Sequence, residues 1–376
     1  MQSHGSFFSS TATHAFPQYI TSFRSPLTLI AGYTMRPDID QLILTLKRGK
    51  ASYVPHMELG VHPHIKQRFI GRPIVTLADD IEFWHKAGYD YTKLQPGVDF
   101  NPAKIGAGKK ALTFSQDGTV DRTWASESQG IVTTDQEFES YVFPKISDFE
   151  YTKFEQVRAL LPEGMGVIGQ YGDIFTMTWE MMGLETFSMA LFENPDLVER
   201  LNTTLGNLVL SMFEYFAQSD AVDAIWYSDD IAYVNSLLVS PEVLDLFFFP
   251  WLKKIGDLAH AANKPLIYHT DGILYDVFDR IIDCGVDAIH PIEPKAMPIA
   301  EVKKRYGDQL CLIGHVDVDM LSRGTEAEVR EQVRKNIEEA GYNGGYCAGS
   351  GNSIPDYVKY ENYLAMLKAV EDFGGV

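Results

Sequence analysis

Histidines and carboxylates recur at the ends of short β-branched or aromatic runs, where they could do acid–base or metal chemistry. The clearest group is His269-Thr270-Asp271, which follows the apolar run ending at Tyr268. Similar groups contain His56 with Glu58, Gln170-Tyr171, Ser228-Asp229-Asp230, His290 with Glu293, His315 with Asp317, and Ser350-Gly351-Asn352. Imidazole titrates near neutral pH, and with carboxylate oxygens it can hold zinc or another divalent ion. His269 and Asp271 are the predicted metal ligands, with proton transfer as the alternative role.

Some of these residues also have structural interpretations. His56, and His290 directly before Pro291, could be ordinary hydrogen-bonded histidines. Asp229-Asp230 ends an apolar strand, and adjacent acids there are costly unless something binds them. Either a ligand or an N-cap pairing with nearby loop amides could do so, and that pairing would explain at least one of the two acids.

The elements that must position these groups alternate between short strands and amphipathic helices, as in parallel β/α units. The predicted strands are Tyr53–Leu59, Tyr89–Leu94, Gly166–Gln170, Ala224–Tyr227, Pro265–Tyr268, Ala288–His290, Leu310–Ile313 and Gly345–Ala348. This pattern predicts an α/β fold of the (β/α)8 TIM-barrel type, with a doubly wound open sheet as the competing architecture. Catalytic side chains of such barrels lie at the C-terminal ends of strands, where the polar groups fall.

One irregular region, at 97–150, interrupts the alternation between the second and third predicted strands. Within it, Leu112–Trp124 alternates and contains Asp117-Gly118, which predicts a β-hairpin insertion. A lid or substrate wall over the barrel mouth is one interpretation, and a loop without function is the other.

Composition and charge restrict the class of protein. The 376 residues carry 32 Lys and Arg against 51 Asp and Glu, and the net charge of −19 argues against nucleic-acid binding. Three scattered cysteines suit a reducing cytoplasm, and no apolar run is long enough to cross a membrane. We expect a cytoplasmic protein with one domain at 35–376. Residues 1–34 are predicted to be a disordered extension.

Several stretches between Ala224 and Pro355 match, in order and spacing, the motifs of one enzyme superfamily. They are AIWYSDDIAY, SPEVLDLFFFPWLKKI, YHTDG, CGVDAIHPIEP, YGDQLCLIGHVDVDMLSRGT and GGYCAGSGNSIP, with weaker matches in VPHMELGVHP and AGYDYTKLQPG. On these motifs the chain resembles the uroporphyrinogen decarboxylase superfamily, which includes cobalamin-linked methyltransferases. The resemblance implies the barrel fold independently of the strand count.

Departures from the superfamily's motifs indicate which branch of the superfamily the chain resembles. Uroporphyrinogen decarboxylases carry an arginine-rich segment of the form RQAGRY that binds the tetrapyrrole's carboxylates, whereas here Val54-Pro55 is followed by HMEL. Thiol-methylating members bind zinc through His-x-Cys and a later cysteine. This chain keeps His269 but has Asp271 and Asn352 at the two cysteine positions. The remaining resemblance is to the methyl-donor components of corrinoid O-demethylase systems.

That resemblance implies transfer of a methyl group from a small, methoxyaromatic substrate to a corrinoid. Tetrapyrrole decarboxylation is the alternative, and a catalytically silent ligand-binding protein is the second alternative. No DxHxxG-type corrinoid-binding sequence occurs, so a separate corrinoid-binding protein is the expected partner; a homodimer remains open. The predicted catalytic residues are His269, Asp271, Glu293, Asp229 and Asp230. The predicted substrate contacts are Glu58, Tyr171, Phe175, Tyr268, His290, His315 and Asn352.

Overall fold

A computed structural model describes residues 37–98, 100, 109–113, 120–124 and 130–375 of the protein. Residues 109–113 and 120–124 are described by their backbone. The predicted extension at 1–34 lies outside the described residues.

The strands of the described chain form one large parallel sheet and two small antiparallel ones. Their bounds are β1 Tyr91–Leu94, β2 Lys109–Thr113, β3 Val120–Trp124, β4 Gly166–Gly172, β5 Ala224–Ser228, β6 Ala232–Tyr233, β7 Ser236–Leu237, β8 Leu266–His269, β9 Ala288–His290, β10 Cys311–Val316 and β11 Tyr346–Ser350. The large sheet has seven strands in the order β1-β4-β5-β8-β9-β10-β11. This order follows the chain without reversal, as in a TIM-barrel-like fold, whereas a doubly wound sheet reverses direction. The predicted barrel-type fold is thus confirmed.

The predicted first strand, Tyr53–Leu59, is not a regular strand. Its segment meets β11 through an isolated parallel bridge between His56 and Ala348. Pro55 has no N–H to donate, so it can only accept, from the Ala348 N–H at 2.9 Å. Toward β1, the Glu58 N–H donates to the side-chain hydroxyl of Tyr91 at 2.9 Å. On the side toward β1, hydrogen bonds to a side chain thus replace the backbone hydrogen bonds that a regular strand would make.

Helices connect the strands of the large sheet. They are α1 Ile39–Leu46, α2 Pro63–Ile70, α3 Leu77–Lys86, α4 Asp135–Ser140, α5 Thr152–Val157, α6 Ile174–Met182, α7 Leu184–Glu193, α8 Pro195–Gln218, α9 Pro241–Phe247, α10 Phe249–Ala261, α11 Phe278–Asp283, α12 Ile299–Tyr306, α13 Val318–Arg323, α14 Glu326–Ala340 and α15 Tyr360–Phe373. Many begin at residues suited to the position: Thr325 caps α14 with a capping box, and Asn194 with Pro195 begins α8. Their apolar faces pack on the sheet and form the core.

In the region of the predicted hairpin, β2 and β3 pair antiparallel, with Lys109 opposite Trp124 and Thr113 opposite Val120, so the pairing begins before the predicted start at Leu112. The pair lies between β1 and β4 in the chain, and the hairpin insertion itself stays a prediction. The predicted turn at Asp117-Gly118 lies outside the described residues, and the lid role remains a prediction.

Within the described part of the chain, none of the helices has the combination of length and apolar character that crossing a membrane requires.

Candidate active site

Three potential metal ligands meet at the C-terminal ends of β5 and β8. One ligand atom from each of Asp230, His269 and Asp271 lies within 4.8 Å of the others. The Asp271 N–H donates to Asp230 Oδ1 at 3.0 Å, and His269 Nε2 lies 3.9 Å from the same oxygen. The parallel pairing of Ser228 with His269 explains the meeting, because it brings the two strand ends level.

The Asp271 carboxyl group is held in place and is easily protonated. Asn352, which follows β11, donates from its amide to Asp271 Oδ2 at 2.7 Å. Asp271 Oδ1 is buried and has no hydrogen-bond partner among the described residues. Burial, together with the negative charges of Asp230 and Glu293, raises the pKa of Asp271 to about 8. This carboxyl group can therefore hold a proton near neutral pH or give its free oxygen to a metal ion.

His269 and His290 form a buried pair of imidazoles, with their Nδ1 atoms 2.8 Å apart. Burial lowers the pKa of both side chains, and that of His290 falls well below its ordinary value. Neutral imidazoles joined in this way share one proton between the two Nδ1 atoms. His290 thus orients His269, and its own Nε2 has no partner among the described residues.

A cavity of about 250 Å³ opens beside Asp271. It is lined by residues that follow β8, β9, β10 and β11: Asp271, Glu293, Pro294, Lys295, Asp317, Val318, Asp319, Gly351, Asn352, Ser353, Pro355 and Tyr357. Glu293 also accepts the Gly272 N–H at 2.8 Å, so the predicted residues Asp271, Glu293 and Asn352 come together here. Tyr357 and Lys295 were not predicted, because they lie in loops without a strand pattern to mark them.

Asp229 lies beside the cluster but faces a helix. Its carboxylate accepts the N–H groups of Phe175 and Thr176, at 2.7 and 2.9 Å, and the hydroxyl of Tyr227 at 2.5 Å. These amides begin α6, so Asp229 satisfies a helix N-terminus. Burial and the nearby Asp173 raise the pKa of Asp229 to about 7. This geometry favours the capping interpretation of the acid pair for Asp229 and leaves Asp230 for the cluster.

The three aromatic residues predicted to flank a substrate ring pack in the core instead. Phe175 and Tyr268 are fully buried, and both contact Phe248. Tyr171 is almost fully buried and stacks on Phe100. In a parallel strand, alternate side chains point to the helices rather than to the barrel interior, and Tyr171 and Tyr268 occupy such positions. This packing argues against substrate contact by these residues, and Tyr357 is the aromatic residue among the described residues that line the cavity.

Other predicted contacts are held by the protein itself. Glu58 is fully buried, and its two oxygens accept the N–H and hydroxyl of Ser350 at 2.7 and 2.6 Å. Burial raises its pKa to about 8 against the lowering effect of those bonds. His315 is buried with Nδ1 2.7 Å from the carbonyl oxygen of Ile292. His56, also buried, contacts the ring of Tyr89. The positions of Glu58 and His315 argue against direct substrate contact by either residue, and the burial of His56 fits its structural interpretation.

Lys93 on β1 was not predicted as a functional residue, although its ammonium group is buried in the structure. Its ammonium group lies 4.8 Å from the centre of the Trp226 ring and is buried without a hydrogen-bond partner among the described residues. Burial, with a smaller effect of Lys66, lowers its pKa to about 7. A lysine inside the short predicted strand Tyr89–Leu94 was the available signal.

The sequence of residues 132–373 matches the family described as uroporphyrinogen decarboxylase (URO-D). The chain belongs to the URO-D family. This match covers more than half of the chain and confirms the resemblance drawn from the motifs.

Individual URO-D relatives match over shorter segments. A uroporphyrinogen decarboxylase of Pseudoalteromonas translucida (strain TAC 125) is 33% identical over 75 residues, 20% of this chain and 21% of that protein. One of Trichodesmium erythraeum (strain IMS101) is 23% identical over 140 residues, 37% of this chain and 38% of that protein. The chain thus matches well under half of the length of either relative.

Among solved structures, a methyltransferase from Methanosarcina mazei resembles the chain over most of its length. The likeness covers 91% of this chain and 99% of the methyltransferase chain, with a TM-score of 0.64 and 15% sequence identity. At so low a sequence identity, the likeness shows that the two proteins share a fold and nothing more.

The residues present fit a divalent metal ion. Asp230, His269 and Asp271 offer two oxygen ligands and one imidazole nitrogen, and Asp271 Oδ1 is a buried acceptor with no described partner. Oxygen-rich sites of this kind suit divalent ions, but they activate a thiolate less well than a site with cysteine ligands. Asn352 orients Asp271, and His290 orients His269, in the way that outer residues orient metal ligands.

Proposed function

We propose that the chain transfers a methyl group from a small methylated compound, expected to be a methoxyarene, to a corrinoid carried by a separate protein. The observation that carries the proposal is the juxtaposition of the Asp230–His269–Asp271 cluster with a small cavity at the strand ends. The cluster can assist the departure of an oxygen leaving group, and the cavity can hold one small ring.

The residues of the chain have defined roles in this reaction. The bond between methyl carbon and oxygen breaks, the carbon passes to the reduced cobalt of the corrinoid, and the oxygen keeps the electron pair. Protonated Asp271, oriented by Asn352, donates a proton to that oxygen. A divalent ion held by Asp230, His269 and Asp271 would instead supply Lewis-acid stabilisation of the same charge. Metal analysis of the purified protein distinguishes these two forms of assistance.

The charge of the cavity supports methyl transfer over tetrapyrrole decarboxylation. A porphyrinogen with many carboxylates needs cationic partners. Lys295 is the cation among the described lining residues, and it pairs with Asp319. Four acids line the same space: Asp271, Glu293, Asp317 and Asp319. The cavity volume of about 250 Å³ also lies below the range of about 300–1,000 Å³ that is usual for larger ligands.

The test is spectroscopic. Purified protein is mixed with free cob(I)alamin and a panel of methoxyarenes, with and without added zinc, and methylcobalamin is followed by its absorbance. We expect formation from at least one methoxyarene, and no decarboxylation of uroporphyrinogen in a parallel assay. Decarboxylation without any methylcobalamin would overturn the proposal in favour of the alternative.

A further inference from the structure

Hydrogen bonds link the buried carboxyl group of Glu58 to the candidate active site through the end of β11. The Ser350 hydroxyl oxygen lies 2.6 Å from Glu58 Oε2 and 2.9 Å from the carbonyl oxygen of Asn352. The Asn352 amide donates to Asp271 Oδ2 at 2.7 Å, and its own oxygen accepts the Ser353 N–H at 2.7 Å. Glu58 thus reaches Asp271 through two residues, and we call Glu58, Ser350 and Asn352 the relay.

The single hydrogen of the Ser350 hydroxyl cannot serve both of its contacts. A serine hydroxyl donates one hydrogen bond and accepts others through its lone pairs. If Ser350 donates to an ionised Glu58, its contact with the Asn352 carbonyl brings two acceptor oxygens together at 2.9 Å with no hydrogen between them. A proton on Glu58 Oε2 reverses the first bond, so that Glu58 donates to Ser350 and Ser350 donates to Asn352. Both contacts are then hydrogen bonds.

The surroundings of Glu58 favour the protonated form. The side chain is fully buried, and burial raises its pKa to about 8 against the opposing effects of Ser350 and Lys93. The Lys93 ammonium group makes no hydrogen bond with Glu58 or with any other described residue. Three phenols also face Glu58, and burial raises the pKa of each well above its ordinary value, so they are neutral. They belong to Tyr89, Tyr91 and Tyr363.

We propose that protonated Glu58 is a positioning residue, which fixes the loop after β11 so that the Asn352 amide meets Asp271. Among the described residues, the Asn352 carbonyl accepts a hydrogen bond only from Ser350, so the relay anchors this loop. Glu58 is not among the residues that line the cavity, and it acts through Ser350 and Asn352. This role rests on the proposed function, in which Asp271 assists the departure of the leaving oxygen.

Ionisation of Glu58 would release the anchor. A carboxylate takes the Ser350 hydrogen, since hydrogen bonds to charged acceptors are about twice as strong as those to neutral ones. The Asn352 carbonyl then loses its donor and is repelled by the Ser350 oxygen. We therefore expect the contact between Asn352 and Asp271 to weaken as the pH rises through the pKa of Glu58, about 8.

Infrared spectroscopy of the full chain tests the proton on Glu58 without any methyl transfer. Protonated carboxyl groups absorb at a higher frequency than carboxylates do. Near pH 7, we expect part of this absorption to vanish in Glu58→Gln and to be unchanged in Glu185→Gln, the matched control at an exposed position. An identical band in the wild type and in Glu58→Gln would show that Glu58 is ionised and would overturn the inference.

Nuclear magnetic resonance of the full chain, labelled with ¹⁵N at asparagine, tests the positioning itself. The side-chain amide signals of Asn352 are assigned by their loss in Asn352→Ala. We expect these signals to move in Glu58→Met and in Ser350→Ala, since each variant removes a donor of the relay. They should stay near their wild-type positions in Glu58→Gln, because a glutamine amide can donate to Ser350 as protonated Glu58 does. Signals that stay in place in Glu58→Met contradict the inference.

Methyl transfer by the same variants tests the consequence for the reaction. Glu58→Met and Ser350→Ala should each lower kcat by about 10-fold with little change in KM, since small misplacements of a catalytic group are costly. The double variant should lose no more than either single variant, because both substitutions break the same link. Glu58→Gln should keep most of the rate. Thermal melting confirms that each variant is folded.

Two kinetic outcomes refute the positioning role while leaving methyl transfer established: a full rate in Glu58→Met, or losses that multiply in the double variant. The proposed function fails separately. If both spectra behave as expected but the wild type transfers no methyl group to cob(I)alamin, the methyl transfer alone is refuted, and the relay stands as the anchor of Asn352.

Discussion

At the scale of single residues, the proposed reaction requires Asp271 itself rather than the acidic surroundings in general. Asp271→Asn keeps the shape of the side chain but removes the proton donor and weakens any metal site. We expect the rate of methyl transfer to fall by about 100-fold or more, the range for loss of a general acid. The measurement is methylcobalamin formation at saturating methoxyarene.

Asp319→Asn is the matched control for Asp271→Asn. Asp319 lines the same cavity, but it is paired with Lys295 and lies outside the metal-ligand cluster. Its substitution should change the rate by less than about threefold, as expected for a partly exposed ion pair. Equal losses in both variants would show that the cavity's overall charge, and not Asp271, supports the reaction.

The sequence predicted which residues lie at strand ends, but not how each is engaged. His269, Asp271, Glu293 and Asn352 follow strands and meet as expected. Whether a strand side chain faces the barrel interior or the helices depends on one residue of register. Tyr268 and Tyr171 therefore could not be recognised as core residues from their positions near strand ends.

At the scale of elements, Asp229 links the end of β5 to the start of α6. Asp229→Ala would leave two buried helix amides and the Tyr227 hydroxyl without their acceptor. We expect a loss of about 2–3 kcal/mol in the free energy of unfolding, since the site is more buried than an ordinary cap. Urea denaturation measures it.

Two further variants complete that experiment. Thr325→Ala removes the cap of α14 at an exposed position and should cost about 1 kcal/mol. Asp229→Asn keeps one acceptor oxygen for the helix amides. The rate of methyl transfer by this variant therefore distinguishes a capping role of Asp229 from a catalytic role. Full activity at reduced stability is the expected result, and activity lost without a change in stability would restore the catalytic role.

Elements were predictable where local pattern and tertiary contacts agree. The strand β10 at Cys311–Val316 is mostly apolar, buried and paired on both sides, so its sequence predicted it apart from its last three residues. The segment Tyr53–Leu59 also has the pattern of a strand, but Pro55 has no N–H group to donate. The Glu58 N–H donates to the Tyr91 side chain instead of to a neighbouring strand. Those competing bonds depend on residues far along the chain, which no local pattern reveals.

At the scale of the whole molecule, a metal ion held by the site would couple binding to folding, because His269 ends β8, Asp271 follows it and Asp230 follows β5. A ligand that binds only the folded state stabilises it by about 2.7 kcal/mol at 100 times its dissociation constant. We expect zinc to raise the melting temperature of the protein and His269→Ala to remove most of this effect. A shift that persists in His269→Ala would place the ion elsewhere.

Glu58 connects the two ends of the described chain, since it lies before β1 and binds Ser350 at the end of β11. Its pKa is about 8 in the folded protein against an ordinary value of 4.5. Between these values the folded state holds a proton that the unfolded state has released, so this residue's contribution to stability is full below pH 4.5 and is lost as the pH rises through 8. Glu58→Gln removes that titration.

The measured quantity is the difference in free energy of unfolding between Glu58→Gln and the wild type, from urea denaturation at several pH values from 5 to 8. As the pH rises, we expect the free energy of unfolding of Glu58→Gln to increase relative to that of the wild type by up to about 1.4 kcal/mol per pH unit. Lys93, whose pKa falls to about 7, is present in both proteins, so its effect on this difference cancels to first order. Glu185→Gln, at an exposed position, should show no such trend. A difference that stays constant with pH would mean that Glu58 is ionised throughout, with its charge balanced by Lys93.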